Sequence, residues 1–179
     1  MPSIAEKVSA TSIYLKPGEL FFGDSSHRIS TVLGSCIAIT LWHPHRLLGG
    51  MCHFVLAGKK PTDSGSKSNT ALNGRYSVDA LEFLEQQAEL HGTVLQEYQA
   101  KIFGGSNMDA SQARMGDDSV GSRNASAAVA HLEQRQIPLL ASHVGETGAR
   151  RIIFDIHQGD VWVSHLPLQR TSNNHRIKE

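Results

Sequence analysis

Two apolar segments joined by a proline-containing turn stand out in residues 31–56, TVLGSCIAITLWHPHRLLGGMCHFVL. The first segment is rich in β-branched residues and the second is largely apolar, which predicts strands over Thr31–Trp42 and Leu48–Leu56. If the proline lies at the tip of a hairpin, Cys36 faces His53, with their Cβ atoms about 4.5–5.5 Å apart. The stretch therefore predicts a hairpin that brings a thiol and an imidazole together.

The hydrophobic periodicity of the remaining chain predicts two helices and four further strands. Apolar residues at spacings of three and four indicate helices over Ser77–His91 and Asn124–Gln136. Strands outnumber helices, and the helices fall in the middle of the chain, which favours a compact α/β layered sandwich with a mostly antiparallel sheet and flanking helices. The four further strands are predicted at Tyr98–Phe103, Leu139–His143, Arg151–Ile156 and Val161–Leu166.

The length of 179 residues suits one domain spanning residues 1–179, with a core at about 11–168. Three polar segments without periodicity are expected to be flexible: Met1–Ser9, Gly58–Asn73 and Arg170–Glu179. Gly58–Asn73 follows the His53 strand directly, so we expect it to act as a flap over a substrate. A long polar loop inside a compact domain is uncommon and often functional.

Charge and hydropathy exclude several classes of protein. Seventeen basic and seventeen acidic residues give a net charge of zero, which argues against non-specific binding of nucleic acid. No apolar run approaches the roughly 18 residues of a membrane span, and residues 1–10 lack the apolar core of a signal peptide. We therefore expect a cytoplasmic protein without membrane insertion, whose two cysteines are free thiols.

The tripeptide Gly34-Ser35-Cys36 indicates a possible nucleophile. A small, flexible pair before the cysteine allows a tight turn and leaves N–H groups available for a developing oxyanion. A cysteine in such a tripeptide is more often a buried core residue, but His53 on the facing strand favours a catalytic role. Strand parity turns Cys52 away from His53, which predicts a packing role for Cys52.

A metal site is a competing interpretation of the same hairpin, which contains two cysteines and three histidines. The spacings do not match Cys-x-x-Cys or His-x-x-x-His patterns, and parity places Cys52 on the wrong face. These residues are Cys36, Cys52, His43, His45 and His53.

Two further features remain open between a functional and a structural role. Ser30 and Thr31 precede the cysteine closely, and either hydroxyl could orient the imidazole, although serine and threonine are usually ordinary strand or turn residues. The turn at residues 104–107 could line a pocket at a sheet edge or simply end a strand.

Five blocks of sequence between about Ser30 and Val163 stand out together. They are STVLGSCIAITLWHP, GGMCHFVLAG, AKIFGGSNM, VGSRNASAA and GETGARRIIFDIHQGDVWV. In these blocks and in their order, the chain resembles the CheD family of chemoreceptor glutamine deamidases.

The resemblance implies a layered α/β fold and a Cys–His–Thr catalytic set. The family's GSC cysteine corresponds to Cys36, and the histidine of its GGM-x-H motif corresponds to His53. In some members the threonine stands six residues before the cysteine, where this chain has Ser30, while Thr31 stands at five. Spacing therefore favours Ser30 as the third member.

The resemblance also implies an activity: hydrolysis of glutamine side chains to glutamate on the cytoplasmic domain of chemoreceptors, with no metal or organic cofactor. Some members also bind and stimulate a chemotaxis phosphatase. Two alternatives remain open: a mainly non-catalytic regulator of such a phosphatase or of a receptor, and an amidase or protease of different specificity.

Overall fold

The computed structural model describes residues 10–59, 61, 71–108 and 119–167. Within these ranges the chain forms nine strands, two α-helices and one short 3₁₀ helix, Leu95–Glu97. The helices are α1 (Ser77–Leu90) and α2 (Val120–Gln134). The strands are β1 (Thr11–Tyr14), β2 (Leu20–Asp24), β3 (His27–Leu33), β4 (Ile37–His43), β5 (Leu48–Phe54), β6 (Gln99–Gly104), β7 (Leu139–Val144), β8 (Ala149–Asp155) and β9 (Val161–Leu166).

The molecule has three layers. The strands form a five-stranded sheet, β2-β5-β4-β6-β7, and a four-stranded sheet, β1-β3-β8-β9. Alternate residues of β4 and β5 point to opposite faces: Ile39 and Cys52 pack with the helices, whereas Ala38 and Met51 pack against the four-stranded sheet. The five-stranded sheet is therefore the middle layer, with one hydrophobic core on each side.

The layered α/β architecture is as predicted, but the single, mostly antiparallel sheet is corrected to two mixed sheets. β1 joins β3, and β7 joins β6, in the parallel direction. The N-terminal strands β1 and β2 were not predicted, because their short segments carry little alternation of apolar and polar residues.

The predicted strand Thr31–Trp42 is wrong, because the chain crosses between the sheets within it. β3 ends at Leu33 in the four-stranded sheet and β4 begins at Ile37 in the five-stranded sheet. Gly34–Cys36 form the crossing. Hydropathy does not reveal this break, since apolar residues continue on both sides of it.

The β4–β5 hairpin exists, but its register differs by two residues from the prediction. His53 pairs with Ala38, not with Cys36, and Trp42 pairs with Gly49. The turn between the strands is longer than the predicted two residues, and Leu47 within it has a φ of 49°. A shift of two residues preserves the face on which each side chain lies.

The other elements lie close to their predicted positions. Helix α1 ends one residue before the predicted end, and α2 begins four residues earlier than predicted. Ser119 caps α2, accepting a hydrogen bond from the Ser122 N–H at 3.1 Å. The β8–β9 hairpin is confirmed.

The segments expected to be flexible fall largely outside the described residues. Residues 1–9, 60, 62–70 and 168–179 are not described. In the part of the chain that the structure describes, neither helix has the length and hydropathy of a membrane span.

Candidate active site

The crossing segment Gly34–Cys36 is held in place by the turn that follows β6. The Gly105 N–H donates to the Cys36 carbonyl and the Ser106 N–H donates to the Gly34 carbonyl, each at 2.9 Å. Both hydrogen bonds fix the backbone on either side of Ser35. The position of the Cys36 thiol is thus set by contacts from a neighbouring strand end.

Glycine is required at Gly104 for this contact. Its φ is 109°, in the region that other residues rarely adopt, and a Cβ there would lie 2.1 Å from the Cys36 carbonyl oxygen. Any side chain at Gly104 would therefore displace the segment that carries Cys36.

A buried hydrogen-bond chain fixes the imidazole of His53. The Thr31 hydroxyl donates to the Leu15 carbonyl at 2.7 Å and lies 2.8 Å from His53 Nδ1. Because its single hydrogen is used toward Leu15, the hydroxyl accepts from Nδ1–H. His53 therefore carries its proton on Nδ1 and presents the lone pair of Nε2.

His53 Nε2 lies at the end of this series of hydrogen bonds and is not itself bonded to a described residue. His53 is only 1% exposed, and Nε2 has no hydrogen-bond partner among the described residues. Cys36 is half-buried and packs in the core between the sheets, on the face toward which His53 also points. An unpartnered imidazole nitrogen and a thiol in one core are the two groups that general-base activation of a nucleophile requires.

Burial sets the protonation of both groups. It lowers the pKa of His53 to about 4, although the Leu15 carbonyl and the charge of Glu19 act in the opposite direction. Burial also raises the pKa of the Cys36 thiol, against the opposing charge of Arg75 and the effect of the Cys36 amide. The resting pair at neutral pH is consequently a thiol and a neutral imidazole, not a thiolate–imidazolium pair.

The structure places Thr31, not Ser30, on His53. Alternation along β3 turns Thr31 inward with Ile29 and Leu33. The Ser30 hydroxyl donates to the Ile13 carbonyl at 3.3 Å instead. The preference for Ser30 is corrected, because a bend of the chain at Gly34–Cys36 makes spacing along one strand a poor guide.

Cys52 has the packing role predicted from parity. It is fully buried in the core beneath the helices, where burial raises its pKa to about 12. Among the described residues no group of three or more histidine, cysteine, aspartate or glutamate side chains is arranged to bind a metal. Cys52 and His53 point to opposite faces of β5.

The turn at residues 104–107 borders a cleft as well as ending a strand. The cleft has a volume of about 370 Å³ and is lined by apolar and polar groups, including hydroxyl groups from the first turns of α2. Gly105, Asn107 and Thr147 are among the lining residues. The proposal that this turn lines a pocket is therefore supported.

Arg150, which was not predicted, supports the same turn from the other sheet. Its buried guanidinium donates to the Gly104 carbonyl at 3.3 Å, to the Ser106 hydroxyl, to the Gly145 carbonyl at 2.7 Å and to His143 Nδ1 at 2.7 Å. The alternation of residues along β8 is the pattern that could have identified Arg150 as buried, since it shares the inward face with Ile152 and Phe154.

Asn124 was also missed. It is 1% exposed and contacts the backbone beside both Cys36 and His53. Its position four residues before Ala128, on the apolar stripe of α2, is the signal that could have identified it.

Comparison with known proteins places the chain in a family. A family model described as CheD chemotactic sensory transduction matches residues 60–165. A protein of Pseudomonas fluorescens, named "Probable chemoreceptor glutamine deamidase CheD", is 43% identical over 162 residues, covering 90% of this chain and 88% of its own length. A protein with the same name from Pseudomonas savastanoi is 41% identical, covering 96% and 94%. A similarly named protein of Leptospira interrogans is 30% identical, covering 89% and 96%. With relatives this similar over most of their length, the chain belongs to the CheD family.

Proposed function

We propose that this chain is a protein-glutamine deamidase that converts glutamine side chains of chemoreceptors to glutamate, with Cys36 as nucleophile, His53 as general base and Thr31 as the group that orients His53. The observation that carries the proposal is the Thr31–His53 hydrogen bond at 2.8 Å, which leaves Nε2 buried and without a partner among the described residues, on the sheet face against which Cys36 also packs. The names of the relatives supply the substrate class.

The first half of the reaction forms a thioester. His53 Nε2 removes the proton from the Cys36 thiol as sulfur attacks the carboxamide carbon of the glutamine. The N–H groups of Ser35 and Cys36 stabilise the tetrahedral oxyanion. When the C–N bond breaks, the imidazolium returns the proton to the leaving nitrogen and ammonia departs.

The second half consumes one water molecule. His53 removes a proton from the water, and the resulting hydroxide attacks the thioester carbonyl. The C–S bond breaks, the sulfur regains its proton, and glutamate remains on the substrate. Glutamine and water are thus converted to glutamate and ammonia without an oxidant or a cofactor.

The neutral resting pair suits this sequence of steps. A histidine with a pKa of about 4 is unprotonated near neutral pH and is therefore ready to accept a proton. The raised pKa of the thiol keeps Cys36 protonated at neutral pH until His53 removes the proton. Premature oxidation of Cys36 is reduced for the same reason, since the thiolate is the reactive form.

The protein acts in the cytoplasm on the receptor's cytoplasmic domain, which serves as the protein substrate. A chemotaxis phosphatase is a further partner that the family resemblance suggests. A Cys36→Ala variant separates the deamidase from a mainly regulatory function, because only the deamidase reaction needs a nucleophile.

Peptide mapping of a receptor cytoplasmic fragment tests the proposal. The fragment is incubated with the wild type, with Cys36→Ala and with Cys52→Ala, and released ammonia is measured in parallel. We expect glutamine-to-glutamate conversion at defined sites, with matching ammonia, for the wild type and Cys52→Ala only. Conversion by Cys36→Ala at the wild-type rate would exclude the proposed nucleophile, and no conversion by a folded wild type would favour the regulator.

A further inference from the structure

Asn124 connects the two backbone segments that carry the proposed catalytic pair. Its side-chain nitrogen donates to the Ser35 carbonyl at 3.0 Å and to the Val55 carbonyl at 2.8 Å. Its side-chain oxygen accepts from the Ala57 N–H at 2.9 Å. The side chain belongs to α2, so one helix fixes both segments.

The bonded carbonyls lie next to the reacting groups in the chain. Ser35 immediately precedes Cys36, and Val55 is two residues after His53. Both hydrogens of one amide nitrogen are used, one on each segment. The distance between these segments is therefore limited by the geometry of a single planar NH₂ group.

Few other side chains could make these contacts. The site needs two donors on one atom and an acceptor on a second, at a fixed angle, which is the pattern of a carboxamide. A carboxylate in this position would place one of its oxygens against two carbonyl oxygens, with no hydrogen to donate to either. The side chain is 1% exposed, so water does not replace a lost contact easily.

The neighbouring turn of α2 supports the same segment from a second point. Gly121, three residues before Asn124, lies so close to the β6 turn that a Cβ on it would be 2.3 Å from the Gly105 carbonyl oxygen. Gly105 in turn donates to the Cys36 carbonyl. One face of α2 therefore contacts Ser35 directly and is linked to Cys36 through Gly105.

We infer that Asn124 is a positioning residue that holds the Cys36 thiol within reach of His53 Nε2. The inference rests on the proposed function, because it assigns a catalytic purpose to the spacing between those two groups. Asn124 does not touch the substrate. Its effect on the rate is exerted entirely through Cys36 and His53.

Three variants of Asn124 test the inference, with Thr93→Val as a matched control. Asn124→Asp keeps the shape and the acceptor for Ala57 but loses both donors. Asn124→Ala removes all three contacts, and Asn124→Ser provides a third variant should either of these fail to fold. Thr93 is buried and its hydroxyl bonds Ala88 and Tyr98 instead, so its valine variant loses buried hydrogen bonds away from the catalytic pair.

Two readouts separate positioning from simple destabilisation. The first is deamidation of a receptor fragment, where a displacement of about 1 Å lowers kcat roughly 100-fold while KM changes little. The second is alkylation of Cys36 by iodoacetamide, mapped by mass, at pH 7 and at pH 10. His53 assists the thiol at pH 7 and not at pH 10. The ratio of the alkylation rate at pH 7 to the rate at pH 10 should therefore fall in the Asn124 variants.

The inference is supported if folded Asn124 variants lose kcat and show a lower alkylation ratio, while Thr93→Val keeps both at wild-type values. It is overturned if any folded Asn124 variant keeps kcat within about threefold of the wild type. It is also overturned if Thr93→Val, at equal loss of thermal stability, shows the same losses. A folded wild type that converts no glutamine contradicts the proposed function itself, and the alkylation ratio then decides the positioning role alone.

Discussion

The Thr31 hydroxyl accepts a hydrogen bond from His53 Nδ1 at 2.8 Å while donating to the Leu15 carbonyl. This relationship determines which imidazole nitrogen is free to act as a base. It also links the two sheets at the site, because Thr31 lies in β3 and His53 in β5.

Replacing Thr31 by valine should lower kcat on the order of 100-fold. Valine has the same shape but removes the hydroxyl that accepts from the buried Nδ1–H, at a cost of about 1–3 kcal/mol in stability. Thr31→Ser, which keeps the hydroxyl, should retain most of the activity. Deamidation kinetics and urea unfolding measure the two effects.

Ser30→Ala is the control for the Thr31 prediction. The Ser30 hydroxyl bonds the Ile13 carbonyl and not the imidazole, so we expect its loss to leave kcat unchanged. A slow Ser30→Ala variant beside an active Thr31→Val variant would contradict the assignment.

The rate of Cys36 alkylation should rise with pH, as expected for a thiol that is protonated at neutral pH. Burial raises its pKa above the ordinary value of 9.0, so the rate with iodoacetamide should still be rising as pH passes 9. Arg75→Gln should move the midpoint higher, because the Arg75 charge favours the thiolate, while Arg75→Lys should not. A rate already constant from mildly acidic pH upward would indicate a thiolate–imidazolium pair instead.

Acid should destabilise the protein through His53. The folded pKa of about 4 lies below the ordinary value of 6.5, so between these values the unfolded chain binds a proton that the folded chain does not. The stabilising contribution is complete above pH 6.5 and decreases as pH falls toward 4, by up to about 1.4 kcal/mol per pH unit.

Urea unfolding of the wild type and of His53→Asn at several pH values measures this contribution. Other groups titrate in the same range, so the difference between the two proteins is the relevant quantity. We expect the wild type to lose stability more steeply than His53→Asn between pH 6.5 and 4. Parallel curves for the two proteins would contradict the buried, neutral state of His53.

Arg150→Met should cost about 3–5 kcal/mol of stability, because it leaves several buried acceptors without their donor. Arg150→Lys should remain destabilised, since a single ammonium group cannot span the partners of a guanidinium. The adjacent Arg151 is exposed on the other face of β8, so Arg151→Met should change stability by about 0.5 kcal/mol or less. Unfolding midpoints in urea test the contrast, and equal effects at the two positions would contradict it.

The sequence predicts the faces of a strand better than it predicts the path of the backbone. Alternation along β5 places His53 and Cys52 on opposite faces, and that parity survives a register shift of two residues. The register itself depended on the length of the turn, in which Leu47 adopts an unusual φ. The pattern of residues within a strand carries no information about the length of the turn that follows it.

The supporting residues are harder to predict because their partners are distant in the chain. Asn124 reaches Ser35, and Arg150 reaches Gly104, across separations of 89 and 46 residues. Each is a polar residue on an otherwise apolar face, which signals burial but not the partner. Thr31 and Ser30 are hard to distinguish for the same reason, because the imidazole that Thr31 contacts lies on β5, in the other sheet.

Trapping of the proposed thioester with hydroxylamine tests whether Cys36 is the nucleophile. A receptor fragment is incubated with the wild type and increasing hydroxylamine, and the target glutamine is then mapped by mass. We expect a hydroxamate, one oxygen atom heavier than the glutamine, that replaces glutamate as hydroxylamine increases and is absent with Cys36→Ala. Glutamate as the sole product at every hydroxylamine concentration would mean that water attacks the carboxamide directly, and that Cys36 is not the nucleophile.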